Sequence, residues 1–477
     1  MLKKAFFTNS SGILFSRIFG FIRDLLTANI LGAGILSDIF FAAFKFPNLF
    51  RRIFGEGAFA QSFLPSLIGA KRKSSFIVST FLIFACSIFL LSLFVWFFSG
   101  FFTKILAYGF SEEKIFLARP IVVINFWYLE LVFITTFLSA LLQYKNIFWV
   151  NAYNTVLLNI FMILSLLIAK SYEGMQIVYL LSYGVLCGGT AQILLHFYPL
   201  YQAKYLKIFL VGCKDIFLFI TKKSKNHAKK FYQESIKSFF KQFFPAMIGS
   251  STAQIAAFID TILASFLATG SISYLYYANR IFQLPLAIFA IAISTALFPT
   301  IARAIKNQEE EKAKNLLKKS FWFLMILLTL CTLGGILLKN EIIFLLYEHG
   351  NFLREHTLIT ANVFAIYLLG LIPFGLAKIF SLWLYAHKKQ GKAALISTIS
   401  LGVGLICSVI SMHFLKVYGL ALASSISGFI LFILTIKHFG IKNFFWLIAS
   451  KKYFLLLIAL LILELLILQT FLTFIHI

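Results

Sequence analysis

Apolar residues run along this chain in long blocks broken by short clusters of charge and turn formers. The blocks lie near residues 6–31, 34–69, 75–103, 115–142, 147–169 and 175–201, and resume at 236–268, 272–302, 316–346, 357–386, 392–413, 417–436 and 453–475. A bilayer core about 30 Å thick takes roughly 20 apolar residues per helix, so each block predicts a membrane-crossing helix, about thirteen in all. Several blocks exceed this length, which implies tilt, a kink or extension past the bilayer.

A polar stretch divides the blocks into sets of six and seven. Residues 202–241 carry ten lysines, among them Lys222, Lys223, Lys225, Lys229 and Lys230, and read as a solvated basic linker beside anionic lipid. On its two sides the chain echoes itself. Ser37-x-x-Phe40-Phe41-Ala42 followed by Phe63-Leu64-Pro65-Ser66-Leu67 recurs as Ser273-x-x-Tyr276-Tyr277-Ala278 followed by Leu297-Phe298-Pro299-Thr300-Ile301. Six is an even number of crossings, so the copies have the same orientation, a parallel pseudo-twofold repeat. The expected organisation is an N-terminal lobe at 1–201, a basic cytoplasmic linker at 202–235, a C-terminal lobe at 236–440 and an extra helix at 441–477.

Composition agrees with the blocks: 60% of the 477 residues are hydrophobic and 13% charged, which excludes an ordinary soluble protein. The formal charge of +26 raises nucleic acid or an acidic membrane surface as a partner, and the location of the cations decides. With the N-terminus in the cytoplasm, 29 Lys and Arg fall on segments predicted to be cytoplasmic and six on outer loops. That bias is the one the positive-inside rule demands, and it leaves no role for nucleic acid. Arg17, Arg23 and Asp24 interrupt the first apolar block, which argues against a cleaved signal peptide.

Eight cations remain inside the blocks: Arg17, Arg23, Lys45, Arg51, Arg52, Arg119, Arg280 and Lys378. A charge at mid-bilayer costs several kcal/mol unless it meets water, a partner or a bound ion. Arg119 reads as a helix-end group that snorkels, and Arg51 and Arg52 approach the cytoplasmic interface. Asp38, Lys45 and Arg52 recur every seven positions and share a stripe of the second block, as Arg17 and Asp24 share a face of the first. Pro47 is expected to bend the second helix, and Gly55 and Gly57 to loosen its end. Mutual neutralisation as buried ion pairs is the competing reading, but Asp24, Asp38, Glu56 and Glu130 leave the first half's cations in excess. Arg outnumbers Lys six to two within the blocks, and its planar fork suits phosphate or carboxylate oxygens. The excess therefore implies an anionic ligand, and a phosphate in the membrane plane points to a lipid. Tyr276 and Tyr277 read as packing groups beside Arg280, and Asp260 as either the partner of a neighbouring cation or a site for H⁺ or Na⁺. Glu464 stands among Leu and Ile with no evident partner.

The motifs for nucleotide or metal hydrolysis, GxxxxGK[ST], HExxH, GxSxG and paired cysteines, do not occur. No residue is assigned to catalysis or to a metal. The five cysteines read as small apolar fillers, and His349 and His356 as surface groups of an outer loop.

Ser16-Arg17-Ile18-Phe19-Gly20-Phe21-Ile22-Arg23-Asp24, Gly32-Ala33-Gly34, Ser37-Asp38, Ala43-Phe44-Lys45-Phe46-Pro47-Asn48-Leu49-Phe50-Arg51-Arg52, Glu56-Gly57-Ala58-Phe59 and Phe63-Leu64-Pro65 together resemble the MurJ (MviN) lipid II flippases. A second block, Ala264-Ser265-Phe266-Leu267 through Tyr276-Tyr277-Ala278-Asn279-Arg280, is similar to the start of that family's eighth helix. The resemblance implies the multidrug/oligosaccharidyl-lipid/polysaccharide exporter superfamily, with two six-helix lobes around a central cationic cavity. It implies a transporter, not an enzyme, of the bacterial inner membrane. Its substrate would be lipid II, undecaprenyl-pyrophosphoryl disaccharide-pentapeptide, turned from inner to outer leaflet for peptidoglycan synthesis. Arg17, Arg23, Asp38, Arg51 and Arg280 match the family's essential charges, with Lys45 and Lys378 as companions and Arg52 beside Arg51. Asp24, Asp38 and Glu56 are the expected gate or charge-pairing acids. No cofactor is implied; membrane potential or an ion gradient through Asp260 would drive alternating access, with membrane lipids and the cell-wall synthesis machinery as further partners. Members usually have fourteen spans against thirteen here, and Asn279 and Gln283 stand where acids are common beside the matching arginine. An exporter of another lipid-linked glycan is the alternative within the fold; a drug exporter would call for an acidic cavity. A membrane glycan polymerase would need an outer-loop cluster, for which Glu348, His349, Glu355 and His356 are the candidates. A non-transporting scaffold for cell-wall assembly completes the alternatives.

Overall fold

Each described element is helical, as hydrocarbon requires: a helix satisfies its own backbone donors and acceptors where no water can. The computed structural model describes residues 2–53, 59–221 and 226–475, with side chains described for all of these except 2–10, 52–53, 219–220, 226–233, 248–250, 252–253 and 474–475. Gly55, Glu56, Gly57, Lys222, Lys223 and Lys225, and the side chains of Arg52, Lys229 and Lys230, thus lie outside the description.

Contacts divide the chain into two units, Met1–Thr269 and Gly270–Ile477. The first holds α1 (Leu2–Leu31), α2 (Ile35–Ile53), α3 (Phe59–Gly69), α4 (Lys73–Phe97), α5 (Ser99–Leu106), α6 (Glu112–Tyr144), α7 (Trp149–Ala169), α8 (Met175–Gln202), α9 (Tyr205–Ile220) and α10 (Asn226–Ser265). The second holds α11 (Ser271–Pro285), a π-helical turn (Leu286–Ile291), α12 (Ala292–Lys306), α13 (Glu310–Leu337), α14 (Lys339–Tyr347), α15 (Arg354–Leu369), α16 (Leu371–Ala386), α17 (Gln390–Phe439), α18 (Ile441–Ile448) and α19 (Lys451–Ile475). The division falls at Gly270 and not in the basic stretch, because α10 is held by a phenylalanine core. Phe239 and Phe243, both buried, pack edge-on against Phe59 of α3 and Phe84 of α4, and Phe59 stacks on Phe63 at 5.1 Å. Edge-to-face contacts of this kind add about 0.5–1.5 kcal/mol per pair to the burial itself.

Nine helices among the described residues are long and apolar enough to cross a membrane. Blocks 392–413 and 417–436 are one helical run, α17, interrupted at Lys416, whose φ of 51° no helix tolerates. Blocks 6–31, 34–69 and 236–268 are helical as α1, α2 with α3, and α10, but do not number among the nine. In the first of these, Arg17, Arg23 and Asp24 lower the apolarity; the second is divided between the shorter helices α2 and α3; and within α10, Gln254–Ser265 is a shorter apolar stretch. Helix α2 runs through Pro47 without a break. The repeated motif occupies matching places: Ser37 and Ser273 are both fully buried in the first turns of α2 and α11.

The stretch expected to be a solvated linker contains a packed helix. Along α9 the Tyr205 hydroxyl donates to the Leu141 carbonyl at 2.8 Å, and Asp215 accepts from Ser75 at 2.7 Å with Arg72 at 3.9 Å. Gly212 lets α9 approach α4: a Cβ there would lie 2.4 Å from the Ser74 carbonyl oxygen. In the second unit a glycine similarly admits Glu464, whose Oε1 would be 2.8 Å from a Cβ at Gly334. Cys86, Cys187 and Cys213 lie exposed, so these three do not fill the interior.

Gly212→Ala should lower the melting temperature of the detergent-purified protein, by an overpacking cost of about 1–3 kcal/mol. Gly402→Ala, where a Cβ meets nothing within 4 Å, should leave it unchanged or raise it.

Candidate functional site

The charged face of α1 is set by its contact with α7. Gly12 sits so close that a Cβ would lie 2.6 Å from the Ala152 carbonyl oxygen. Beside it, Ser11 and the Tyr153 hydroxyl share a 2.8 Å hydrogen bond, and one turn along the Asn159 side chain donates to the Ser16 carbonyl at 3.1 Å. Small residues that bring helix backbones together are the usual device for such packing in membranes. The result fixes the direction in which Arg17 and Arg23 leave the helix.

Their fates differ. Arg23 is buried, with Nη2 2.6 Å and Nε 3.1 Å from one oxygen of Asp24, also buried, while Nη1 donates to Asn159 Oδ1 at 3.0 Å. Asp24, on the same face of α1 as Arg17, thus binds its chain neighbour. Adjacent residues on a helix do not face each other, so both side chains bend sideways, and Asn159 of α7 holds the guanidinium there. Arg17 is exposed and reaches a cavity.

That cavity, about 620 Å³ in volume, lies within the first unit. Arg17 enters from α1 and Arg51 from α2. From α6 come Tyr128, Thr135, Ser139 and Gln143, one stripe at helical spacing; α7 adds Asn151, Asn154 and Thr155, and α8 adds Gln192. Only Ile13, Ala60, Val132 and Ala152 among its sixteen lining residues are apolar, and none of the described lining residues is Asp or Glu. Arg51 is half-buried and steadied by Asn48 Oδ1, at 3.2 Å from Nε and 3.0 Å from Nη2. A polar chamber with two guanidinium groups and no acid among its described lining residues, walled by spans α6, α7 and α8, suits an anion with a neutral polar body.

The other expected residues lie elsewhere. Asp38 is buried in the first turn of α2, where a carboxylate faces the positive end of the helix dipole, and Lys45 is half-buried on the same helix. Asp260 is half-buried on α10 near Ala256 and Ala264. In the second unit Arg280 is half-buried on α11, its Nη2 3.2 Å from the Tyr276 hydroxyl and its guanidinium 5.3 Å from that ring. Tyr276 thus positions Arg280, whereas Tyr277 is fully buried against Tyr347 and Phe352. Gln283 donates to Asn279, so these two neighbours of Arg280 on α11 are joined to each other. Lys378 of α16 is exposed. Arg119 lies against Gly100 beside Phe116, Pro120 and Tyr179. The groups expected in an outer loop have structural employment: Glu348 pairs with Arg354 at 3.3 Å, and His356 Nδ1 caps α15 by accepting from the Leu353 amide.

Counting charges alone missed the hydroxyls and amides of the chamber. Their signal was present, since Thr135-Thr136-x-x-Ser139-x-x-x-Gln143 and Asn151-x-x-Asn154-Thr155 are polar at three- and four-residue spacing inside apolar blocks.

The sequence model of the family described as lipid II flippase MurJ matches residues 27–476. A probable lipid II flippase MurJ of Helicobacter pylori (strain ATCC 700392 / 26695) is 55% identical over 451 residues, covering 94% of this chain and 96% of the relative. Among solved structures, a lipid II flippase MurJ in an inward closed conformation matches with a TM-score of 0.78 and 27% identity, over 97% of this chain and 98% of that one. An inward-facing multidrug resistance MATE family transporter of the MOP superfamily matches with a TM-score of 0.71 at 14% identity, over 91% and 96%, a likeness of fold alone.

The two arginines of α1 should separate in a stability measurement. Asp24→Ala removes the carboxylate paired with the buried Arg23 guanidinium and should cost about 3–5 kcal/mol, read as a fall in melting temperature. Arg17→Ala should leave the melting temperature unchanged, because that side chain faces the chamber.

Proposed function

The chain belongs to the lipid II flippase MurJ family, and from that premise we propose that Arg17 and Arg51 receive the pyrophosphate of lipid II in the chamber of the first unit. The protein is a multi-pass membrane transporter with lipid II as its cargo, serving peptidoglycan synthesis. The observation that carries the site reading is the pair of guanidinium groups in a chamber with no carboxylate among its described lining residues. Two Arg forks match the oxygens of a pyrophosphate, and the surrounding low dielectric strengthens each contact.

In the reading we put forward, the protein lies in the inner membrane with its N-terminus cytoplasmic. The loop at Lys145 then lies on the cytoplasmic side, and the chamber stripe of α6 runs from Tyr128 towards that loop. The chamber therefore belongs to the leaflet from which the lipid is taken. Arg23, Lys45, Arg52, Arg280 and Lys378 are proposed as further contacts along the transport cycle, with Asp24, Asp38 and Glu56 as gate or pairing acids. Six spans on either side of the basic stretch 202–235 remain the proposed lobes. We propose alternating access driven by membrane potential or by a cation at Asp260; one charge crossing 100 mV supplies about 2.3 kcal/mol. Enzymes of cell-wall synthesis that consume lipid II are the proposed partners in the outer leaflet.

In cells that depend on this protein, Arg17→Ala and Arg51→Ala should each cut the arrival of lipid II in the outer leaflet at least about tenfold, as loss of a charge-assisted hydrogen bond implies. Arg17→Lys should retain part of the rate, keeping charge but losing the fork. A normal rate in both alanine variants, measured as lipid II accessible to an external probe, would remove the chamber from the transport path.

A further inference from the structure

Ser139 stands apart from most hydroxyls of these helices. Thr135, one turn before it, donates to the carbonyl of Leu131 four residues back, at 2.7 Å, and Ser66, Ser182 and Thr190 do the same in their helices. Ser139 instead meets Nε2 of His196 at 2.8 Å. His196 is fully buried on α8, and its Nδ1 lies 2.7 Å from the Gln192 carbonyl. A carbonyl only accepts, so Nδ1 carries the hydrogen. In the neutral ring Nε2 is then a lone pair, and the Ser139 hydroxyl must donate to it. With its hydrogen committed, Ser139 Oγ offers the chamber lone pairs alone.

The same sorting holds along that wall. Thr135 Oγ1 has spent its hydrogen on Leu131. Asn154 Oδ1 is buried without a hydrogen-bond partner among the described residues, and Gln192 Nε2 secures the helix behind it by donating to the Asn154 carbonyl at 2.9 Å. The opposite character is found at the Tyr128 end. The Tyr128 hydroxyl is buried without a partner among the described residues, its side chain is fully enclosed, and the charges of Arg51 and Arg23 act on it. Tyr128 and Gln143 are 15 residues apart on α6, or about 22 Å at 1.5 Å per residue. The chamber thus has a donor at Tyr128 beside Arg51, and acceptors at Thr135, Ser139 and Asn154.

We propose that Ser139, oriented by His196, together with Asn154 forms an acceptor subsite for the uncharged part of the head group, binding sugar hydroxyls or amide N–H groups, while Tyr128 donates beside Arg51 to the anionic part. His196 is a positioning residue: it touches no ligand and sets the polarity of Ser139. The assignment rests on the reading of the chamber as the lipid II site and adds how the chamber tells a loaded carrier from a bare one. A pyrophosphate offers acceptors only and gains nothing from the subsite. A saccharide-peptide head group offers the donors that satisfy it, and a buried acceptor left unsatisfied disfavours the wrong ligand.

Binding of two ligands to the purified full-length protein in detergent tests this: lipid II, and undecaprenyl pyrophosphate, which lacks the saccharide and peptide. Ser139→Ala should weaken lipid II binding about tenfold relative to the bare carrier, the ratio expected for one lost hydrogen bond. His196→Leu should shift the same ratio in the same direction, and its retained affinity for the bare carrier reports that it is folded; if it does not fold, Ser139→Ala decides. Equal changes for both ligands, or none, in Ser139→Ala would overturn the subsite. Arg51→Ala should weaken both ligands alike, and if it weakens neither, the chamber is not the pyrophosphate site and the reading beneath the proposal falls.

Discussion

The cost of holding charge in hydrocarbon governs this structure. A chain that crosses the bilayer many times has every reason to keep guanidinium groups out of its spans, yet α1 and α2 carry several. Each must be bound within the protein or open onto a polar chamber, and α1 shows both solutions six residues apart. Arg23 is enclosed by Asp24 and Asn159, and Arg17 projects into the chamber. The pairing contributes rigidity at the point where α1 meets α7, which in turn keeps Arg17 aimed. Paired and chamber-facing charges therefore depend on one another through the packing of α1 on α7, where Gly12 approaches Ala152.

Neutral polar groups obey the same constraint by a different route. A hydroxyl in a membrane helix ordinarily returns its hydrogen to the helix's own carbonyl, as Thr135 does, and so becomes an acceptor at no cost in unsatisfied donors. Ser139 reaches the same state through His196, tying α6 to α8, while Gln192 ties α8 to α7. The three spans that wall the chamber are thus joined by hydrogen bonds that simultaneously decide what the wall can accept.

The helical scaffold is shared with transporters at 14% identity, so the scaffold says little about cargo. The sign and sorting of the chamber say more. Two arginines with no acid among the described lining residues oppose a cationic cargo, and a wall of amides and hydroxyls favours a head group rich in hydrogen-bonding positions.

Much of this was legible in the linear chain. The apolar blocks became helices, the break between 392–413 and 417–436 became the interruption at Lys416, and the motif repeated from Ser37 to Ser273 became two equivalent buried helix starts. Those features are local, being fixed by how many apolar residues hydrocarbon demands and by which backbone conformations a residue tolerates. The extent of the first unit was not legible, because Phe239 and Phe243 look like any apolar pair until Phe59 and Phe84 surround them. Nor was the packing of α9, which depends on Gly212 fitting beneath a carbonyl 138 positions earlier in the chain. Sequence alone determined that arginines would stand inside the spans in excess of acids. Only the tertiary structure decided which of them was bound and which faced the chamber, since pairing depends on distances of a few ångströms between residues such as Arg23 and Asn159 that the chain order leaves free.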